Sequence, residues 1–253
     1  EFDYSGILGY AGTKMPSYLK WGVFFLALQD EGTCILWLSF HLPTYKRIPC
    51  ADEGFELYEV DVAQLQPTQW CVGLAEVNSR QLDFNEQSPK ERLNYLKSKP
   101  VPLVRNGSGS LWMIDRHHRL RALLDLEQNA TTYGYVIENF PTEDESESLR
   151  LLAERGWLYL YNGRGQGPLS PQDLPKSLLQ LEDDPYRSLA WKLKKEGLLR
   201  PEPLIPYHEF RWGNWLRSRA LPPFSSKSLK PALPAARSLV RSSAASHLAG
   251  WIG

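Results

Sequence analysis

Residues 111–124 read Leu111-Trp-Met-Ile-Asp-Arg-His-His-Arg-Leu-Arg-Ala-Leu-Leu124. This segment is the most informative about the fold, because its pattern predicts a strand followed directly by a helix. Its first four residues are large and apolar, which predicts a buried strand. Three leucines then recur at helical spacing, and they predict a helix from about Arg116 to Glu127. A short strand that leads at once into an amphipathic helix indicates a mixed α+β fold.

The first turn of that helix concentrates cationic and imidazole side chains, namely Arg116, His117, His118 and Arg119. A helix N-terminus presents unpaired backbone N–H groups and the positive end of the helix dipole, so it attracts anions and disfavours cations. A phosphate bound there would offset the repulsion, and an arginine such as Arg119 could grip it with two N–H groups. The pattern therefore predicts a phosphate site at this turn.

Asp115, directly before the turn, has three interpretations. It could cap the helix, hold one of the imidazoles, or ligate Mg²⁺ beside a phosphate. A simpler hypothesis makes Asp115 only the N-cap and leaves the histidines as partly exposed turn residues. A zinc site is disfavoured, because adjacent helical residues diverge by about 100° and the three cysteines show no CxxC spacing.

The remaining pattern divides the chain into a β-rich α+β part, residues 1–140, and a mainly helical part, residues 141–253, packed on it. Strands are predicted for a hairpin within Trp21–Leu42 and over Phe55–Val62, Val101–Val104, Leu111–Ile114 and Thr132–Ile137. Helices are predicted over Ser88–Lys99, Arg116–Glu127, a segment that opens with the acidic run Thr142–Glu147, Asp184–Gly197, Tyr207–Arg219 and Ala235–Leu248.

Charge and hydropathy limit the classes of function. The chain carries 29 basic and 29 acidic side chains, and this balance argues against a whole-protein basic surface for duplex DNA. No apolar run reaches the ~18 residues that a membrane span needs. The chain opens with Glu1 and shows no signal-peptide pattern, so we expect a soluble protein with a processed or trimmed N-terminus and an unassigned compartment.

These residues resemble the ParB/sulfiredoxin-like superfamily and, within it, the ParB-like nuclease branch. Asp115-Arg-His-His-Arg119 after a strand is similar to the superfamily motif. Further elements similar in kind and order are Leu65-Gln-Pro-Thr-Gln-Trp-Cys-Val-Gly-Leu-Ala-Glu-Val77, Lys99-Pro-Val-Pro-Leu-Val104, Asp184-Pro-Tyr-Arg-Ser-Leu-Ala190 and Phe210-Arg-Trp-Gly-Asn-Trp-Leu216. The resemblance extends from about Phe55 to Trp251, and it implies a mixed sheet with helices followed by a mainly helical C-terminal half.

In that superfamily the histidine–arginine helix start holds nucleotide phosphates. ParB proteins bind CTP, sulfiredoxins use ATP, and free serine kinases phosphorylate serine from ATP or ADP. The resemblance implies that the turn from Arg116 to Arg119 binds phosphate and that Asp115 and His118 serve catalysis. It also implies ATP or ADP with Mg²⁺ as the cofactor, with Asp115 as the candidate metal ligand.

This chain departs from two of those relatives. Arg116 stands where the serine kinases have glycine, which bears on how closely a phosphate can approach. The sulfiredoxin cysteine is not found in the motif, which argues against sulfinic-acid reduction.

Glu76 is the candidate general base, because phosphoryl transfer needs a proton acceptor near the attacking hydroxyl. In the serine kinases the catalytic carboxylate also follows a proline, here Pro67, although the spacing in this chain is longer. The alternative is a solvated glutamate on a helix surface. Arg80 and Lys90 are further candidate phosphate partners, with ordinary surface charge as the simpler interpretation.

We therefore expect a nucleotide-binding enzyme that transfers phosphate from ATP or ADP to a small hydroxyl acceptor, or hydrolyses the nucleotide. A DNA-associated partition protein or nuclease is one alternative, disfavoured by the charge balance and by the lack of a basic helix-turn-helix pattern. The other is a catalytically inactive scaffold that binds a protein partner through its aromatic C-terminal half.

Overall fold

A computed structural model describes residues 45–202 and 205–253, so the hairpin predicted within Trp21–Leu42 lies outside the described residues. Within these ranges, five strands form a mixed sheet in the order β1-β6-β4-β5-β2. The strands are β1 Tyr58–Asp61, β2 Leu65–Pro67, β4 Val101–Arg105, β5 Leu111–Met113 and β6 Thr131–Asn139. The antiparallel pairs β1–β6 and β4–β5 alternate with the parallel pairs β4–β6 and β2–β5. The predicted α+β class with a mixed sheet is confirmed.

Helices cover this sheet and continue the chain beyond it. In the described part they are α1 Leu74–Glu86, α2 Pro89–Ser98, α3 His117–Leu126, α4 Glu145–Glu154, α5 Pro185–Lys195, α6 His208–Arg217 and α7 Leu233–Arg241. Local signals set several of their ends. Ser88 and Glu91 form a reciprocal capping box at the start of α2, and the Asp184 carboxylate accepts two backbone N–H groups at the start of α5.

Side-chain alternation along β4 and β5 separates two hydrophobic cores. Leu103 and Met113 pack in the core that contains α1, α2 and α3, whereas Val104 and Trp112 pack in the core that contains α4. Successive residues of a strand point to opposite faces of its sheet. The centre of the sheet is therefore buried on both sides, and α3 is held firmly against one of them.

A second, two-stranded sheet joins distant parts of the sequence. β3 (Cys71–Val72) runs parallel to β7 (Glu182–Asp183), and each strand is followed after one residue by a helix, α1 or α5. A Cβ atom at Gly73 would lie 2.8 Å from the Ser188 backbone nitrogen, so glycine permits the close approach of the two helix starts. The division of the chain at residue 140 stays a prediction. The seam formed by β3 and β7 joins residues from both sides of that division.

Two local predictions need correction. The pattern does not predict α1, whose buried residues are only Glu76, Val77 and Phe84, so its apolar stripe is too narrow to recognise. The last helix ends at Arg241 rather than Leu248, because Ser242 takes an extended conformation with ψ 153° and a short 3₁₀ turn follows.

Candidate functional site

The N-terminus of α3 is open at the turn that the sequence predicts to bind phosphate. Arg116 is the N-cap residue and has a left-handed backbone conformation (φ 78°, ψ 13°), and α3 has no side-chain cap among the residues described. The interpretation of Asp115 as the N-cap is therefore wrong. Its carboxylate instead accepts the Arg116 backbone N–H at 2.6 Å and pairs with the Arg116 guanidinium at 2.8 Å. Desolvation acts to raise the pKa of Asp115, but the Arg116 cation and N–H outweigh it and lower that pKa.

Both histidines of the turn are buried, so the hypothesis of partly exposed turn residues is wrong. The Nε2 atom of His117 accepts the Thr68 backbone N–H at 3.1 Å, and Nε2 of His118 accepts the Gly73 backbone N–H at 3.0 Å. Acceptance at Nε2 leaves the proton of each neutral ring on Nδ1. Burial lowers the pKa of His117 to about 4 and holds the pKa of His118 well below its ordinary value. Both rings are therefore neutral at pH 7 and fasten the turn to the segments before α1.

Arg119, in the same turn, is also buried. Its Nη1 donates to the Lys99 carbonyl at 2.7 Å, and its guanidinium lies 5.1 Å from the centroid of the Tyr95 ring. Burial lowers the pKa of Arg119 to about 10, so the group remains charged at neutral pH. Its Nε–H has no acceptor in the described part of the chain. A buried N–H without an acceptor is unfavourable, which makes Arg119 a ready donor to a ligand.

Glu76 lies in the first turn of α1 and is 3% exposed, so the alternative of a solvated surface glutamate is wrong. Its Oε1 accepts Nε and Nη2 of Arg80 at 2.9 and 2.5 Å. Its Oε2 accepts Nη2 of Arg187, on α5, at 2.9 Å. Burial alone would raise the pKa of Glu76, but the charged guanidinium groups of Arg187 and Arg80 lower it well below its ordinary value. Glu76 is therefore ionised, and Oε2 retains one free lone pair.

These groups line one cavity of about 280 Å³ between α1, the α3 turn, α5 and the start of α6. The six main site residues that the sequence analysis nominates all contribute to the lining, namely Glu76, Asp115, Arg116, His117, His118 and Arg119. Arg80 also lines it, as Glu76's partner rather than as a free surface charge, whereas Lys90 on α2 is not part of the lining. Lys194, Phe210 and Ile114 belong to the remaining wall.

Comparison with known proteins connects this cavity to a family. The family described as "Putative ParB-like nuclease" matches residues 58–218. The chain belongs to this ParB-like family. A crystal structure of a protein from Agrobacterium tumefaciens is similar to the ParB-like chain with a TM-score of 0.68 and 30% sequence identity, over 78% of this chain and 98% of that one. No curated protein matches the sequence.

The ParB-like region contains the whole of the predicted site. It extends from β1 to just past α6, so the α3 turn, Glu76 and Arg187 all lie inside it. Across the described residues, no helix is long and apolar enough to cross a membrane. The same residues hold no group of three or more His, Cys, Asp or Glu side chains placed to bind a metal ion.

The sequence analysis did not nominate Arg187, although this residue lines the cavity. The Asp184-Pro185 pattern locates the start of α5, but nothing in it pairs Arg187 with a carboxylate 111 positions earlier. One signal was available. Arg187 precedes Ala190 by three positions and so shares the apolar face of α5, where both residues are buried. A charge on a buried face is a candidate for a functional role.

Proposed function

We propose that this ParB-like chain binds ATP or ADP with the phosphates at the α3 turn and transfers the terminal phosphoryl group to a small hydroxyl acceptor. One observation carries the proposal. Buried guanidinium N–H groups of Arg119 and Arg187 have no acceptor among the described residues, and both side chains line a cavity at an N-terminus that lacks a side-chain cap. Phosphate oxygens are strong acceptors for such donors, and the helix dipole adds to the attraction.

The two histidines are suited to donating a hydrogen bond to an anion rather than to acting as general acids. Because Nε2 of His117 and of His118 is engaged by backbone N–H groups, the Nδ1–H is the single donor left on each ring. The low pKa of His118 makes an imidazolium acid unavailable at pH 7. We therefore assign His118 a hydrogen bond to the transferred phosphate and not the role of a general acid.

Glu76 is the residue that would contact the attacking hydroxyl group of the substrate. In the transfer, the hydroxyl oxygen attacks the terminal phosphorus, the bond from phosphorus to the bridging oxygen breaks to release the shortened nucleotide, and the hydroxyl proton passes late in the step to Oε2 of Glu76. The free lone pair on Oε2 of Glu76 can receive that hydroxyl's hydrogen bond. A carboxylate with a lowered pKa is a weak base, but phosphoryl transfer passes through a loose transition state in which positioning matters more than early proton removal.

Asp115 is the proposed Mg²⁺ ligand, and its side chain is 52% exposed on the cavity wall. Mg²⁺ at nucleotide sites is typically held by one or two carboxylates together with the phosphates and water, so a single aspartate fits. The ion would compete with the Arg116 guanidinium that now pairs with Asp115. When bound, it would neutralise charge on the phosphates.

Titration calorimetry with ATP and ADP, with and without Mg²⁺, tests the proposal. Wild-type protein should bind, and Arg119→Ala and His118→Ala should each weaken binding at least tenfold, because charge-assisted and neutral donors to phosphate are lost. Arg241→Ala, an exposed arginine at the end of α7, is the matched control and should bind like wild type. Circular dichroism checks that each variant is folded.

Glu76→Gln separates transfer from binding. It should retain nucleotide affinity within a few-fold and lose most turnover, measured as nucleotide product formed with a panel of small alcohols. A full rate in this variant would remove Glu76 from the reaction. Failure of the wild type to bind any nucleotide would overturn the proposal, and binding without turnover would instead support the scaffold alternative.

Uneven charge along the chain favours a second candidate function, nucleic-acid binding. Residues 185–253 contain twelve Lys or Arg and three Asp or Glu residues, so the balanced total conceals a basic C-terminal part. Lys195, Lys227 and Lys230 are exposed there. Exposed cations of this kind bind phosphate backbones in a salt-dependent manner. Retention of labelled DNA that falls steeply between low and physiological salt, and that Lys227→Glu with Lys230→Glu abolishes, would favour this candidate.

A further inference from the structure

Arg187 brings to the cavity a guanidinium group that lies outside the histidine–arginine motif. Its side chain is 5% exposed, and Nη2 donates to Oε2 of Glu76 at 2.9 Å. Its Nε and Nη1 have no acceptor in the described residues. Because Nε carries one hydrogen and Nη1 carries two, three of the five N–H donors of this arginine remain unused.

The charges around Arg187 do not balance. A chain of ion pairs runs along the cavity through Arg80, Glu76, Arg187, Glu209 and Lys194. Its cations exceed its carboxylates by one, and the adjacent His118 is neutral. Desolvation and then repulsion from Arg187 lower the pKa of Lys194. Buried charges are normally matched, so the surplus indicates that an anionic group is part of the complete site.

Arg187 is also held in a fixed orientation. Glu76 of α1 binds it directly, Glu209 of α6 lies 3.8 Å away, and its guanidinium sits 5.4 Å from the ring centroid of Phe210. After burial, repulsion from Arg187 is the next largest cause of the low pKa of His118, which places the cation beside the α3 turn. A donor that is already oriented loses little conformational entropy when it binds a ligand.

We propose that Arg187 is an anion-binding residue of this site, so that one phosphate-bearing ligand is held by the α3 turn on one side and by α5 on the other. This inference rests on the proposed function, because it assumes that the α3 turn binds phosphate. The ligand class that satisfies both sides is a compound with linked phosphates, such as a nucleoside diphosphate or pyrophosphate. Glu76 then acts in addition as the positioning residue that orients Arg187.

Calorimetry with ADP, pyrophosphate and inorganic phosphate tests this inference on Arg187→Gln and Arg187→Lys. Arg187→Gln should bind ADP and pyrophosphate at least tenfold more weakly than wild type, because it removes both the charge and the free donors. Arg187→Lys keeps the charge but loses the guanidinium geometry, so its loss should be smaller but above threefold. Inorganic phosphate, which can occupy the α3 turn alone, should be affected least.

Two control arginines separate binding from stability. Arg80→Gln removes the other partner of Glu76, yet Arg80 uses its nitrogens on Glu76 and on the Tyr95 hydroxyl, so its loss of affinity should be smaller than that of Arg187→Gln. Arg121→Gln alters an arginine of α3 that binds the Leu178 carbonyl away from the cavity, and it should bind like wild type. If Arg187→Gln does not fold, Arg187→Lys decides the question.

The outcomes for this inference differ from those for the proposed function. If wild type binds ADP and Arg119→Ala weakens it while Arg187→Lys and any folded Arg187→Gln bind normally, the role of Arg187 is overturned and the α3 site survives. An equal loss in Arg80→Gln and Arg187→Gln would also overturn it, since the effect would then come from Glu76. If wild type binds none of the three probes, the proposed function itself fails.

Discussion

The first turns of α3 and α5 both line the cavity, but the two N-termini are completed in opposite ways. At α5, Asp184 accepts the backbone N–H groups of Tyr186 and Arg187 and also the Arg217 guanidinium. At α3, the N-cap is Arg116, no described side chain caps the helix, and two imidazoles and a buried arginine occupy the first turn. The N-terminus of α5 therefore has a carboxylate cap, whereas no described side chain caps the N-terminus of α3, where we propose that an anion binds.

The difference shows that the positive end of a helix dipole can serve either stability or binding. An N-terminus with a buried carboxylate cap is electrostatically satisfied when the chain folds. An N-terminus surrounded by cations is left unfavourable by folding alone, and the neighbouring core must hold it in place. In this chain the leucines of α3, buried against the sheet, provide that support.

The largest expected effect on stability is at the capped N-terminus of α5. Asp184→Ala should lower the free energy of unfolding by about 4 kcal/mol, because it removes a cap and leaves Arg217 without its buried partner. Urea denaturation measures it. Asp144→Ala, which removes the exposed cap of α4, is the control and should cost about 1 kcal/mol. Equal losses in the two variants would refute the contrast.

The next largest effect on stability is at the uncapped N-terminus of α3, and it depends on pH. The folded pKa of His117 is about 4, below its ordinary value of 6.5, so between these values the unfolded chain binds more protons than the folded one. Stability from this group is complete above pH 6.5 and is lost as the pH falls towards 4. A single residue shifted this far contributes about 3 kcal/mol.

Urea midpoints between pH 7 and pH 5 test this dependence in a window where carboxylates titrate little. His117→Gln keeps an acceptor for the Thr68 N–H but cannot be protonated, so its stability should change less with pH than that of wild type. An identical pH profile for both proteins would show that His117 titrates normally in the folded state.

The smallest expected effect is at Arg116, whose φ of 78° is strained for any residue with a Cβ atom. Arg116→Gly should raise the free energy of unfolding by about 0.5 kcal/mol, because relief of that strain exceeds the added flexibility of the unfolded chain. Nucleotide affinity should fall, since a cation leaves the cavity. A variant that is less stable than wild type in urea, and that binds nucleotide as tightly in calorimetry, would contradict both expectations.

Local signals account for what the sequence could predict. The Ser88-Pro89 start of α2, the Asp184-Pro185 start of α5 and Gly197 (φ +76°) after α5 each depend on signals within a few residues, and all three appear where the pattern places them. The start of α3 within Arg116–His117 also agrees with the pattern, and its charges conflict with the helix dipole. Such conflicts between a local rule and the residues present tend to mark functional sites.

The remainder depends on contacts between distant residues. The burial of Glu76 requires Arg187 from α5, and the parallel pairing of β2 with β5 requires the chain to come back beside Leu65 at Leu111. Asp115 had the right residue type for a cap, yet the left-handed Arg116 takes that position. The backbone conformation of Arg116 determines which residue is the N-cap, and amino-acid composition does not predict that conformation.

The short seam of β3 and β7 constrains how this protein can vary in length. Only Gly73 separates β3 from α1, and only Asp184 separates β7 from α5. One residue inserted into either connector would turn its helix by about 100° and carry Glu76 or Arg187 out of register with the other. Surface loops in the intervening hundred or so residues can lengthen without moving either helix. Length polymorphism among relatives should therefore avoid these two connectors and accumulate between them.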